Sequence, residues 1–167
     1  MDLTDLKSRR LVDPERGLVS REIFVDPRLY EAELERVFAT QWLFVGHVSQ
    51  VRQPGDFVVS RMGEESVIVV RDIGGTVRVF LNSCRHRGMQ VCRHDQGHTT
   101  EFACPYHGWV FDTQGRLAAV PGLRESYHGE LALAEWGLVE ARVAQLKGSL
   151  WARSEEHTSE LQSRGLI

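Results

Sequence analysis

Two short segments of this chain each carry one thiol and one imidazole: Cys84-Arg85-His86 and Cys104-Pro105-Tyr106-His107. Their spacing reads C-x-H-x17-C-x2-H. Two thiolates and two imidazoles suit a two-iron, two-sulfur cluster ligated unequally, with both Cys on one iron and both His on the other. Neutral imidazoles in place of two thiolates remove two negative charges. The reduction potential then rises from about −400 mV toward roughly −150 to +300 mV. The chemistry so encoded is one-electron transfer. Cys and His also bind zinc, so a four-ligand structural zinc site is the competing assignment. Such sites more often open with a C-x2–4-C knuckle and close on spaced histidines.

The flanking sequence must hold these two segments against each other. After a polar stretch over residues 1–20, Asp26-Pro27 reads as an N-cap followed by proline at the first helical position. Tyr30, Leu34, Val37 and Phe38 then share one helical face, with Glu31, Glu33, Glu35 and Arg36 around the other side. From Gln41 onward the pattern changes to short β-branched or aromatic runs at 42–47, 56–60, 66–71 and 77–81. Pro54-Gly55, Gly63-Glu64 and Gly74-Gly75 supply the turns between them. Residues 109–111 and 116–120 read as a hairpin about Asp112-Thr113-Gln114-Gly115, and the run 138–146 could complete the sheet. The expected fold is mainly β: an antiparallel sandwich bearing two cluster-binding loops and preceded by an N-terminal helix. The expected divisions are a polar segment and helix over 1–40, a cluster domain over 41–152, and a tail over 153–167.

The residues around the ligands carry a resemblance. Leu81-Asn82-Ser83-Cys84-Arg85-His86-Arg87-Gly88 and Cys104-Pro105-Tyr106-His107-Gly108-Trp109 resemble the cluster loops of Rieske non-haem iron oxygenases, the aromatic-ring-hydroxylating enzymes, in their large (α) subunit. Pro14-Glu15-Arg16-Gly17-Leu18, Phe24-Val25-Asp26-Pro27 and the strand 42–47 look like that family's lead-in to its Rieske domain. Stand-alone Rieske ferredoxins, the alternative, lack this lead-in. The resemblance implies a Rieske [2Fe–2S] cluster with Cys84 and Cys104 on the inner iron and His86 and His107 on the outer one. Arg87, Gly88, Tyr106, Gly108 and Trp109 are expected to support the loops. The glycines would let backbone amides approach the sulfurs, and Trp109 would shield the cluster from water. Respiratory Rieske proteins add a disulfide-bonded Cys in each loop; Gly88 stands at one such position, and no second Cys lies beside Cys104.

The family implies partners as well. A ferredoxin or reductase would donate electrons, and other α subunits, with β subunits in some members, would assemble with the intact protein. A mononuclear Fe(II) would activate O2 in a catalytic domain lying beyond this chain, so the fragment alone is expected to be catalytically inactive. The formal charge of −3 over 167 residues suggests neither nucleic acid nor an anionic membrane as partner. The three cysteines leave no disulfide that spares the ligands, which fits a reducing cytoplasm. Cys92 reads as a core or loop residue. His94 and His98 read as surface-loop residues, because Val91 stands where the family's catalytic-iron motif has a carboxylate. His47 reads as structural, and His128 as a loop residue. The string 153–163 resembles an in-frame translation of a DNA-sequencing adapter, so the tail is expected to be non-native.

Overall fold

The computed structural model describes residues 11–154. Residues 12–19, part of the polar N-terminal stretch, form a small hairpin of β1 (Val12–Asp13) and β2 (Leu18–Val19). The Asp13 carboxylate accepts the Arg16 amide at 3.2 Å inside its turn, a local bond that gives a polar segment a defined shape.

A short helix α1 (Glu22–Val25) leads into α2 (Pro27–Glu33). The Asp26 side chain accepts the Arg28 amide at 3.0 Å, and Pro27 occupies the first helical position. That start agrees with the sequence; the continuation does not. From Leu34 to Phe38 the helix widens into a π-helical turn, and Tyr30 and Val37 remain exposed. The expected apolar face is thus only partly covered. Its contacts include the Tyr30 hydroxyl bonded to Glu64 and Phe38 lying against Gly63.

The remaining strands are β3 (Leu43–His47), β4 (Asp56–Met62), β5 (Glu65–Arg71), β6 (Val77–Leu81), β7 (Gln96–His98), β8 (Glu101–Ala103), β9 (Val110–Asp112), β10 (Leu117–Ala119), β11 (Glu140–Leu146) and β12 (Ser149–Arg153). They make a seven-stranded sheet, ordered β3-β12-β11-β6-β5-β4-β7, and a three-stranded sheet, ordered β10-β9-β8. All the pairings are antiparallel. The run that could complete the sheet is internal to it, between β6 and β12. Strands β7 and β8 were not anticipated, because Gln96-Gly97-His98 is short, polar and exposed, and backbone pairing with β4 alone makes it a strand. His98 accordingly sits on an edge strand rather than in a surface loop. Strand β12 ends at Arg153, and the Ser154 hydroxyl donates to the Ala39 carbonyl at 2.9 Å. The first two residues of the segment expected to be non-native therefore belong to the fold. Residues 155–163 of that segment lie outside the described residues.

At its centre the large sheet is buried on both faces. On β5, Ile68 and Val70 enter one core while Val67 and Val69 enter the other. The first core lies toward the small sheet, with Phe80, Phe102, Phe111, Leu117, Cys84 and Cys104. The second gathers Val45, Val51, Val58, Val79, Leu150 and Ala152. Strict alternation along a strand sends successive side chains to opposite faces, so one valine-rich run serves two cores. Among the described residues no helix is long and apolar enough to cross a membrane.

Candidate metal centre

The two loops repeat one backbone design. In the first, which follows β6, the Cys84 amide donates to the Met89 carbonyl and the Gly88 amide to the Cys84 carbonyl, both at 2.8 Å. In the second, which joins β8 to β9, the Cys104 amide donates to the Trp109 carbonyl at 2.7 Å and the Gly108 amide to the Cys104 carbonyl at 3.0 Å. Gly88 and Gly108 stand at the same offset from their cysteines, and each has φ near +69°. That left-handed conformation closes each loop and costs an ordinary residue about 1–2 kcal/mol. The loops differ in where the imidazole sits: two residues after Cys84, three after Cys104.

The side chains converge as two pairs. The Cys84 and Cys104 thiols are neighbours, buried in the first core. The His86 and His107 rings lie 4.6 Å apart, centroid to centroid. His86 is partly buried, whereas His107 is exposed. Trp109, only 2% exposed, stacks on His86 at 4.9 Å with the ring planes 6° apart. Tyr106, 56% exposed, stacks on His107 at 3.8 Å. Trp136 and Tyr127 meet Trp109 edge-on and support it from behind.

The electrostatics follow from this packing. Burial pushes the Cys84 thiol up to about 11; the neighbouring Cys104 thiol adds to the rise, while the backbone amides of His86 and Arg87 donate toward the sulfur and oppose it. Burial holds His86 below the usual histidine range, helped by His107 and the Arg87 cation. A neutral imidazole is the form that binds metal. His86 Nδ1 is buried and has no hydrogen-bond partner among the described residues. Leaving a buried polar atom unpaired costs roughly 1–3 kcal/mol, so it points to a ligand the protein does not itself supply. The thiol pair, the imidazole pair and this orphaned nitrogen together fit a two-iron cluster. Cys84 and Cys104 could hold one iron, and His86 and His107 the other.

The remaining candidates are placed elsewhere. Cys92 is buried, its thiol facing the His94 carbonyl at 3.5 Å. His98 Nδ1 pairs with Asp56 at 3.0 Å on the outer sheet edge. His47 caps the 3-10 turn Val48–Gln50 by accepting the Ser49 amide, as a structural residue would. His128 is an exposed turn residue with φ of +51°. One residue was quoted within the first loop motif without a role: Asn82, which is buried and bonded to both backbone groups of Cys92. A polar side chain closing an apolar strand was the only sequence signal for it.

Residues 41–143 match the Rieske [2Fe-2S] domain family. The chain is 45% identical over 161 residues to the biphenyl dioxygenase subunit alpha of Paraburkholderia xenovorans, covering 93% of this chain and 35% of that protein. It is 45% identical over 153 residues to the benzene 1,2-dioxygenase subunit alpha of Pseudomonas putida, covering 92% and 34%. The crystal structure of naphthalene 1,2-dioxygenase from a Rhodococcus species superposes with a TM-score of 0.80 at 38% identity, over 93% of this chain and 34% of that one. The chain spans about a third of the length of these relatives. With the paired loops and the shared fold, these likenesses show that the chain belongs to the Rieske [2Fe-2S] domain family, in the form found in ring-hydroxylating dioxygenase α subunits.

Proposed function

We propose that this chain is the electron-relay portion of a ring-hydroxylating oxygenase α subunit, with Cys84, His86, Cys104 and His107 as its cluster ligands. The observation that carries the reading is the buried thiol pair beside the paired imidazoles, with His86 Nδ1 left without a protein partner. When bound, a Rieske cluster supplies reversible one-electron transfer at a potential raised by its two neutral imidazoles. The protein's own contribution is placement. The first core keeps the cysteine side dry, and the exposed His107 and Tyr106 face outward, where an electron can enter and leave. The amides of His86 and Arg87 stabilise negative charge on the Cys84 sulfur.

The electron donor in this reading is a ferredoxin or reductase. The acceptor is a mononuclear non-haem iron of the 2-His-1-carboxylate type, which activates O2 for aromatic hydroxylation and is supplied outside this chain. Other α subunits, with or without β subunits, complete the assembly, and the setting is cytoplasmic. The isolated chain is expected to accept an electron without hydroxylating any aromatic substrate.

Spectroscopy tests the assignment. Purified without oxygen, the protein is expected to hold two irons and two sulfides per chain and to give a rhombic EPR signal after dithionite. Cys84→Ser should abolish both. A colourless, EPR-silent protein carrying one zinc per chain would falsify the reading.

A further inference from the structure

Asn82 lies two residues before Cys84, where β6 gives way to the first loop. Its side chain is 4% exposed and bonds in three directions. Oδ1 accepts the Cys92 amide at 2.8 Å, while Nδ2 donates to the Cys92 carbonyl at 2.8 Å and to the Ser66 hydroxyl at 3.1 Å. The Asn82 backbone amide donates to the Ser66 carbonyl at 2.9 Å. The carboxamide thus takes both backbone groups of Cys92, much as a strand neighbour would, and closes residues 82–92 into a loop anchored on β5. All of the first loop lies inside that closure: Cys84, His86, the amides facing the Cys84 sulfur, and Gly88.

We infer that Asn82 is a positioning residue for the metal centre, a clasp that fixes the first loop against β5 and so sets the amide donors around the Cys84 sulfur. The inference rests on the ligand assignment proposed above. Ligand side chains hold the cluster only as well as their backbone is held, and amide donors to sulfur favour the reduced state. Without the clasp, the buried amide and carbonyl of Cys92 lose their partners. The loop must then shift to satisfy them. The second loop has its own closure, between Cys104 and Trp109, so the disturbance belongs to the first loop alone.

The test uses the cluster-loaded full chain carrying Asn82→Leu, which has a similar shape and makes none of the three bonds, and Asn82→Asp, which keeps only the acceptor for the Cys92 amide. Val69→Ala, a cavity in the opposite core, is the control for lost stability. Three quantities are read: midpoint potential, EPR line width, and the rate of iron extraction by a chelator. Asn82→Leu is expected to lower the potential, broaden the signal and speed extraction by about tenfold. Asn82→Asp should broaden the signal and speed extraction less, its added carboxylate lowering the potential by charge alone, and Val69→Ala should leave potential and line shape unchanged. If Asn82→Leu does not accumulate, the line shape of Asn82→Asp against that of Val69→Ala decides alone. Wild-type line shape in the Asn82 variants, or equal broadening in Val69→Ala, would overturn the inference. A wild-type protein without the Rieske signal would instead refute the ligand assignment.

Discussion

At the scale of single residues, the division of labour between thiols and imidazoles decides what this centre can do. Cys84 and Cys104 are buried, and burial pushes the Cys84 thiol up to about 11, so binding iron there must first overcome that cost. His107 is exposed and stacked on Tyr106, so it is the ligand most open to change without disturbing the core. Replacing it by Cys exchanges a neutral ligand for an anion. The reduced state, already the more negative, is then disfavoured. Accordingly, His107→Cys with an assembled cluster should have a midpoint potential well below wild type, in the direction of the all-Cys range near about −400 mV. A redox titration followed by EPR checks this, and an unchanged potential would contradict the proposed role of His107. The residues that bear this chemistry were legible in the sequence because thiol and imidazole are rare, distinctive groups at a telling spacing. Asn82 was not legible as a clasp. Its partner is the backbone of Cys92, and no pattern of side-chain types reveals a bond to main chain ten residues away.

At the scale of elements, the loops are two copies of one cradle on different supports. The first hangs from β6 and is tied to β5; the second bridges β8 and β9. A methyl group added at the two equivalent glycines therefore meets different surroundings. At Gly88 it would find only the Ser83 hydroxyl at 3.8 Å, whereas at Gly108 it would press on Pro121 at 3.0 Å. Both substitutions share the left-handed cost of about 1–2 kcal/mol. Gly108→Ala should lose more stability than Gly88→Ala in urea denaturation of the loaded protein, and equal losses would show that Pro121 yields freely. Strands β4, β5 and β6 were readable because β-branched runs and glycine turns mark them. Helix α2 was readable at its start, where Asp26 and Pro27 act locally, and misread past Glu33. There apolar periodicity implies burial, but the fold leaves Val37 exposed and winds the chain wider.

At the scale of the whole molecule, one sheet serves two cores, and only one of them touches the metal centre. A buried ion pair braces the turn between β5 and β6, beside a backbone bond that reaches the small sheet's hairpin. Asp72, 1% exposed, accepts Arg78 at 2.7 Å and the Thr76 amide at 2.9 Å, and the next residue's amide donates to Thr113 at 3.1 Å. Burial opposes the Asp72 charge, yet the Arg78 guanidinium and the backbone amides outweigh it and hold the carboxyl below its ordinary range. A lowered folded-state pKa stabilises the protein above the unfolded value and is lost as pH falls through the folded one. Asp72→Asn should therefore be less stable than wild type by a constant margin above about pH 5, and that margin should narrow below about pH 4. Urea denaturation across that range reads it directly, and a margin independent of pH would contradict the ionised pair.

The two cores also separate global stability from cluster retention. Ile68 and Val69 are adjacent on β5 and fully buried, but Ile68 shares its core with Cys84 and Cys104, and Val69 does not. Trimming Ile68 to Val removes one methylene and costs about 0.5–1.5 kcal/mol. Trimming Val69 to Ala removes more, at about 2 kcal/mol. Were iron lost only from the unfolded chain, the harsher Val69→Ala would release it faster. Native proteins open locally before they unfold, and opening the core shared with Cys84 and Cys104 would uncover the cysteine side of the site. The expected order is therefore inverted: Ile68→Val should surrender iron to a chelator faster than Val69→Ala, although it is the more stable protein. Extraction rates that simply track urea midpoints would show instead that the two faces of the sheet open as one.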